Sequence, residues 1–323
     1  MQQNIPSVDL NDFIQGNASS RAAFVKSLGH AYESIGFVAV RNHGISDDLI
    51  RDLYQYVEQF FALPVSHKSS YEIPELAGQR GYTSFGREHA KGFEAPDLKE
   101  FFQYGQELDE GATSEVPYPS NVDVELLPGF TATLGKAYRA FETSGIALLQ
   151  AIALFLNLEE HYFDGYVHQG NSILRAIHYP PILQEPKSAI RAEQHEDINL
   201  ITLLVGASAD GLQIQSRTGD WVGVTSLPDQ IVVNVGDMLQ RLTNNRLKST
   251  THRVVNPPRE KWGTSRYSIP FFLHPKGSMS LKCLDNCIDA RHPKGYEDIT
   301  AGAYLEERLR EIGLKQHDNG NKA

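Results

Sequence analysis

Cysteine is scarce in this chain of 323 residues, which contains only Cys283 and Cys287. Two cysteines supply no disulfide framework of the kind that small secreted domains need, so the composition favours a cytoplasmic protein. A structural zinc site is disfavoured at this pair, because no second pair completes the four ligands. The N-terminal residues contain no basic segment followed by an apolar core, and we therefore expect no secretory signal.

Long apolar runs and an excess of positive charge are also lacking. The longest apolar segment, Ile146–Leu158, is shorter than the about 20 residues that span a membrane, and it contains Gln150. The chain has 30 lysine and arginine residues against 40 aspartate and glutamate residues, a net charge of −10, and it contains no basic cluster. We therefore expect neither a membrane nor a nucleic acid as a partner.

The sequence instead contains a helix-rich first half followed by a series of short strands. Apolar residues recur at helical spacing within residues 19–37, 46–63 and 130–158, whereas the glycine-rich residues 78–105 predict a loop. After residue 170, short apolar runs are separated by turn residues, which is typical of a β-sandwich or barrel. The predicted fold class is mixed α+β with a jelly-roll core. Its predicted parts are a helical N-terminal region (1–120), a long backing helix (121–170), the jelly-roll core (171–285), and a C-terminal helix and tail (286–323).

A candidate metal site begins in the stretch QHEDIN, where His195 and Asp197 are two residues apart. Residues i and i+2 of a strand point to the same face, so we expect these two side chains to project together and Glu196 to point away. His252, 55 residues after Asp197 at the start of another predicted strand, supplies a third ligand. Two histidines and one carboxylate leave open coordination positions, as in non-haem Fe(II) oxygenases. The alternative is a polar strand end and an unrelated core histidine.

A second constellation lies in the stretch SRYSIPFF, where Arg266 and Ser268 are also at i and i+2. A guanidinium offers a planar fork that matches a carboxylate, and the hydroxyl adds one more donor. A carboxylate clamp beside an open metal suits a small dicarboxylate that chelates the metal at its other end, and 2-oxoglutarate has that shape. The alternative is a surface salt bridge.

These motifs occur in an order that resembles one enzyme family. The ordered segments are IPSVDL, GFVAVRNHGI, DLKEFF, HYPP, HEDINLITLL, GLQIQ, NVGDMLQRLTNNRLKSTTHRVV and RYSIPFF. Together they are similar to the isopenicillin N synthase-like branch of the iron- and 2-oxoglutarate-dependent dioxygenases. The resemblance extends from about Ile5 to the C-terminal helix, nearly the whole chain.

The resemblance implies a double-stranded β-helix (jelly roll) with flanking helices and an enzyme that uses Fe(II), 2-oxoglutarate and O2, with ascorbate as an activator. Such an enzyme oxidises a small organic molecule and releases succinate and CO2. The iron ligands would be His195, Asp197 and His252, and Arg266 and Ser268 would bind the far carboxylate of 2-oxoglutarate. Tyr179, in HYPP, matches a tyrosine that hydrogen-bonds the cosubstrate in many members. Many plant members carry an asparagine where this chain has Ile177, which removes one expected polar contact.

The substrate side of the site is less defined by the sequence. Phe101, Phe271 and Phe272 are candidate pocket walls, and core packing is the predicted role of at least one of them. Glu196 would either contact substrate or face solvent. Two other functions remain open at this stage: an oxidase of the same fold that uses no 2-oxoglutarate, and a non-catalytic jelly-roll binding module. His178 and Asp237 are predicted to lie outside the chemistry.

Overall fold

The computed structural model of the chain describes residues 5–76, 78–90, 92–93, 95–108, 118–206, 210–224, 227 and 229–311. Within these residues the strands are β1 (Ser7–Asp9), β2 (Phe37–Arg41), β3 (Gly81–Thr83), β4 (Glu100–Gly105), β5 (Ile173–Tyr179), β6 (Ala192–His195), β7 (Ile201–Val205), β8 (Leu212–Gln215), β9 (Trp221–Gly223), β10 (Gln230–Val235), β11 (His252–Val254) and β12 (Arg266–Leu273). The α-helices are α1 (Leu10–Ile14), α2 (Ala18–Ser34), α3 (Asp47–Ala62), α4 (Val65–Ser69), α5 (Phe130–Phe155), α6 (Asp164–Val167), α7 (Asp237–Leu242) and α8 (Ala301–Glu311).

The strands form two sheets, which is consistent with the jelly-roll core that the sequence predicts. The larger sheet has the order β1-β2-β10-β7-β12-β5-β4-β3, and the smaller has the order β6-β11-β8-β9. All pairings are antiparallel except that of β1 with β2. The main hydrophobic core lies between α5 and one face of the larger sheet, and a smaller apolar cluster joins the two sheets. The other face of the larger sheet is therefore available for a site.

The helices largely follow their sequence signals. The side chain of Ser46 accepts a hydrogen bond from Leu49 N and begins α3, as its position predicts. Asn17, rather than a serine, performs the same role for α2. The long helical pattern folds as α5, and the C-terminal pattern folds as α8, whereas the predicted tail at 312–323 lies outside the described residues. None of the described helices combines the length and apolar character that would let it cross a membrane.

The prediction of a loop over residues 78–105 is wrong at both ends of the segment. β3 and β4 lie there, and β4 pairs with β5 along its whole length, next to the edge strand β3 of the larger sheet. The strand was hidden because β4 is buried on both faces, so its polar residues do not alternate with apolar ones as in a half-exposed strand. Four strands of the larger sheet come from residues 1–120, the region predicted to be helical.

One polar residue of β4, Glu100, is the centre of a buried charge cluster. Its carboxylate accepts hydrogen bonds from Lys68 Nζ at 2.8 Å and from His178 Nδ1 at 2.7 Å, and it is also bonded to the hydroxyl of Tyr82. Burial favours the neutral carboxyl, but these hydrogen bonds outweigh burial, so the pKa of Glu100 is lowered. His178 faces this cluster, away from the candidate metal site, as the sequence predicts.

Replacing Glu100 by glutamine should reduce the free energy of unfolding by about 3 kcal/mol, because the buried Lys68 ammonium would lose its counter-charge. The measurement is urea unfolding followed by circular dichroism. Since the pKa of Glu100 is lowered on folding, its contribution is present at neutral pH and is lost as the pH falls through the folded-state value. Lys294→Met, which breaks an exposed pair with Asp298, serves as the control and should leave the urea midpoint unchanged. An unchanged midpoint for Glu100→Gln would contradict the expectation.

Candidate active site

Two imidazoles face each other across the smaller sheet. His195 ends β6 and His252 begins β11, and the two residues are direct partners in the strand pairing, with ring centroids 4.4 Å apart. Asp197 Oδ1 lies 3.8 Å from His195 Nε2 and 3.6 Å from His252 Nε2. Within the described part of the chain, these three residues are the one group of three or more potential ligands whose donor atoms lie within 4.8 Å of one another.

Asp197 reaches this point by a different route from the one that strand alternation predicts. β6 ends at His195, and Asp197 lies in the segment that turns from β6 into β7. The carbonyl of Asp197 accepts a hydrogen bond from Asp237 N at 2.9 Å, which fixes the turn. Glu196 does not simply point to solvent: it is half-buried, lines the cavity and accepts a hydrogen bond from Thr251 at 3.5 Å. Its contact with substrate stays a prediction.

Each donor group is oriented by a second contact. His195 Nδ1 lies 2.7 Å from the carbonyl of Glu193, and His252 Nδ1 lies 3.1 Å from the carbonyl of Thr250. A carbonyl only accepts hydrogen bonds, so both Nδ1 atoms carry a proton and both Nε2 atoms face Asp197.

The carboxylate is oriented by the larger sheet. Asp197 Oδ2 accepts hydrogen bonds from Thr202 Oγ1 at 2.6 Å and from Asn234 Nδ2 at 2.8 Å, which leaves Oδ1 facing the imidazoles. Burial would raise the pKa of Asp197, but the histidines and these hydrogen bonds outweigh it and lower the pKa. Burial, together with the neighbouring His252, lowers the pKa of His195 to about 4, so its imidazole is neutral at pH 7. Two imidazoles with one carboxylate are a donor set that fits Fe(II).

The three donors open into a cavity of about 540 Å³ between the two sheets. Two neighbouring strands of the larger sheet present alternate side chains to it. These are Ile173, Arg175, Ile177 and Tyr179 on β5, and Arg266, Ser268, Pro270 and Phe272 on β12. The residues between them on β12, such as Ile269 and Phe271, enter the main core instead. Alternation along two strands thus separates the cavity lining from the core.

Arg266, Ser268 and Tyr179 meet at one end of this cavity. Arg266 is the strand partner of Tyr179, and its Cζ lies 4.9 Å from the centre of the tyrosine ring. Arg266 and Ser268 are both buried. A second buried arginine, Arg191, lies 5.9 Å from the same ring, and burial together with Arg266 lowers the pKa of Arg191 to about 10. Two guanidinium groups in one buried region give this end of the cavity a positive potential that suits an anion.

The predicted aromatic walls divide between cavity and core. Phe272 lines the cavity, whereas Phe271 packs against Tyr138 and Phe141 in the main core. Phe101 is not among the residues that line the cavity. It lies in a small apolar cluster with Ile177 and Tyr179, behind the guanidinium of Arg175.

Asp237, predicted to lie outside the chemistry, is nevertheless part of the cavity wall. Its side chain accepts a hydrogen bond from Tyr304 of α8 at 2.8 Å, and burial raises the pKa of Asp237 to about 8. This contact attaches the C-terminal helix to the wall of the cavity.

Sequence reasoning missed a group of four charged residues that also line the cavity. Glu88 bonds to Arg175 and to Lys99, and Lys99 also bonds to Asp97. Burial alone would raise the pKa of Glu88, but Arg175 and Lys99 outweigh burial and lower it to about 2. Three of the four lie in the segment that was predicted to be a loop. The signal that could have found the group was Arg175, a charged residue within the apolar stretch Ile173–Tyr179.

Comparison with known proteins gives matches along most of the chain. Residues 5–123 match the family model of the N-terminal region of non-haem dioxygenases in morphine synthesis, and residues 170–275 match that of the 2OG-Fe(II) oxygenase superfamily. The proline hydroxylase buaE of Petromyces alliaceus is 34% identical over 319 residues, which cover 94% of this chain and 98% of the relative.

Two solved structures are similar throughout. A protein from Caulobacter crescentus, described as a member of the 2OG-Fe(II) oxygenase family, is 40% identical, with a TM-score of 0.86 and coverage of 96% of this chain and 100% of that chain. A full-length protein from Neurospora crassa, solved in complex with alpha-KG and thymine, is 32% identical, with a TM-score of 0.81 and coverage of 94% and 96%.

Replacing Thr202 by valine should weaken metal binding by about 10- to 100-fold, because Asp197 would lose the hydroxyl that orients its carboxylate. Valine keeps the shape of the side chain, but the buried Asn199 Nδ2 also loses its acceptor, so thermal melting checks that the fold is retained. The measurement is calorimetric titration with Mn(II). Thr143→Val is the matched control, since the Thr143 hydroxyl bonds only to a helix carbonyl among the described residues. An unchanged affinity in Thr202→Val would contradict the orienting role.

Proposed function

Because this chain belongs to the 2OG-Fe(II) oxygenase superfamily, in its isopenicillin N synthase-like branch, and is an Fe(II)- and 2-oxoglutarate-dependent dioxygenase, we propose that it hydroxylates a C–H bond of a small organic substrate. One observation carries this proposal. Two imidazole Nε2 atoms and one carboxylate oxygen converge in a cavity that also contains a buried arginine–serine pair. Relatives named as 2-oxoglutarate-dependent dioxygenases, ecdK and htyE, make an oxidase without this cosubstrate the weaker alternative.

The roles proposed for the residues follow from their contacts. His195, Asp197 and His252 would hold Fe(II), since each has one donor atom directed inward and the other donor atom engaged by a backbone carbonyl or by two hydrogen bonds. Three protein ligands leave positions open for the cosubstrate and O2. The iron, when bound with 2-oxoglutarate and O2, supplies the oxidising chemistry that yields succinate and CO2.

Arg266 and Ser268 would bind the far carboxylate of 2-oxoglutarate, and the hydroxyl of Tyr179 would add a hydrogen bond. The support is their common position at the positive end of the cavity, where a buried carboxylate gains charge-assisted hydrogen bonds. Their fixed place on paired strands would orient the cosubstrate, with its keto end towards the histidines and the aspartate. The apolar side chains beside them would exclude water from the reacting groups.

The relatives indicate the general size of the substrate. One relative is named a proline hydroxylase, and a similar structure contains thymine, so substrates of this size suit the cavity. We also propose a cytoplasmic location, because both cysteines are free and buried, as a reducing compartment would keep them.

Replacing Arg266 by lysine should raise the KM for 2-oxoglutarate by about tenfold or more, because a single ammonium cannot reproduce the forked pair of hydrogen bonds. The positive charge is kept, so the change isolates geometry from charge. Arg259→Lys, on an exposed arginine beside Trp262, is the control and should leave this KM unchanged. Equal KM values for Arg266→Lys and the wild type would contradict the clamp.

Hydroxylation predicts where the two atoms of O2 go. With labelled O2, Fe(II) and ascorbate, one labelled oxygen should enter succinate, and one should enter the product of any substrate that stimulates succinate release. Mass spectrometry of both products is the measurement. His252→Ala should abolish both incorporations, because one metal ligand is lost. A product that has lost two hydrogens without gaining oxygen would instead indicate desaturation.

A further inference from the structure

The group of four charged residues faces the cavity next to the candidate iron ligands. Arg175 lies on the same face of β5 as Tyr179. The strand register places it between Ser268 and Phe272 of β12, and its guanidinium lies 5.3 Å from the ring centre of Phe272. Phe272 is four residues beyond Ser268, which is about 13 Å along a strand. Its neighbour on β7 is Thr202, whose hydroxyl holds Asp197. Phe272 therefore lies away from Ser268 of the carboxylate clamp and beside the metal ligands, and the Arg175 guanidinium extends to its ring.

The guanidinium of Arg175 is held in place by several contacts, but only two of its three nitrogen atoms donate hydrogen bonds within the described part of the chain. Its Nη1 donates to both carboxylate oxygens of Glu88 at 3.1 and 3.3 Å, and its Nε donates to Gln103 Oε1 at 3.1 Å. The group lies 4.2 Å from the ring centre of Phe101 and 5.3 Å from that of Phe272. Nη2 has no hydrogen-bond partner among the described residues, and it is not fully enclosed by other protein atoms. Two N–H donors are thus directed to the cavity from a fixed position.

The charges around these donors are already balanced. Lys99 Nζ lies 2.7 Å from a Glu88 oxygen and 2.7 Å from an Asp97 oxygen, so two cations face two carboxylates. Asp97 also accepts a hydrogen bond from Glu193 N at 2.9 Å. A ligand carboxylate would add an uncompensated negative charge to this balanced group, and a ligand ammonium would find both carboxylates engaged. A neutral carbonyl oxygen needs only the two N–H groups of Nη2.

We propose that the substrate is a small neutral ring that carries a carbonyl group, such as a cyclic amide, imide or ureide, with its carbonyl oxygen bound by Arg175 Nη2 and its ring against Phe272. Arg175 is then a specificity-determining residue, distinct from the arginine that binds the cosubstrate. The inference rests on the proposed function, since the ring must lie beside the iron ligands for one of its C–H bonds to react.

The test compares neutral and zwitterionic rings on the anaerobic enzyme loaded with Fe(II) and 2-oxoglutarate. The neutral probes are thymine and 2-piperidone, and the zwitterionic probes are L-proline and L-pipecolate. Calorimetry measures binding, and succinate release in air measures stimulation. We expect at least one neutral probe to bind and both zwitterions to bind about tenfold or more weakly. Tighter binding of a zwitterion, or no binding of either neutral probe, would overturn the proposal.

A double variant and a control variant test whether Arg175 causes the preference for neutral rings. Arg175→Met combined with Glu88→Gln removes one charge of each sign, so the group stays electroneutral and the fold should be retained, which thermal melting checks. This double variant should bind the neutral probe about tenfold or more weakly, because it has lost a charged hydrogen-bond donor. Arg246→Lys is the control, since Arg246 also pairs with a carboxylate and lies over a phenyl ring, but is remote from the cavity. Unchanged binding in the double variant would overturn the assignment to Arg175.

The same experiment distinguishes a wrong substrate class from a wrong proposed function. The wild-type enzyme should convert 2-oxoglutarate to succinate slowly without any probe. If it does so and no neutral probe binds, the substrate class is wrong while the proposed function stands. If succinate forms neither with a probe nor without one, the proposed function itself fails.

Discussion

The pairing of His195 with His252 across the smaller sheet is the constraint on which the rest of the site depends. Residues directly opposite each other on antiparallel strands have fixed side-chain separations, so the two imidazoles meet at 4.4 Å between ring centres without help from a loop. Asp197 belongs to the segment after β6, yet its carboxylate is held by Thr202 and Asn234 of the larger sheet. The donor set therefore exists only where the two sheets come together, and a metal bound there would also connect them.

One face of the larger sheet provides two binding regions of the cavity. On β5 and β12 the residues of one parity enter the core with α5, and those of the other parity line the cavity. Because the strands are antiparallel, Tyr179 lies opposite Arg266 at one end, whereas Phe272 lies opposite Ile173 near the other. The positively charged end suits a dicarboxylate, and the balanced end around Arg175 suits a neutral group. Distance along the strands keeps the two binding functions apart while both remain within reach of the iron ligands.

Sequence reasoning worked best where a local pattern carries the information. The order of the motifs identified the family, and the period-2 alternation placed Arg266 and Ser268 on one face of a strand. The same alternation gave the wrong reason for Asp197, because β6 ends at His195, before the aspartate is reached. It also missed β4, since a strand buried on both faces loses its alternation. Phe101 shows the consequence: it is buried, but behind Arg175 rather than on the cavity surface.

The sequence by itself determined the donor types and their order along the chain, and hence the class of metal chemistry, because residue type fixes what a side chain can coordinate. It also determined the alternation of β12 and the beginning of α3 at Ser46. Only the tertiary structure decided that Glu88 and Lys99 meet Arg175, and that the charges at this end of the cavity cancel. The physical reason is that such contacts join residues far apart in the chain, and their distances depend on the register of β4 against β5, which no local pattern specifies.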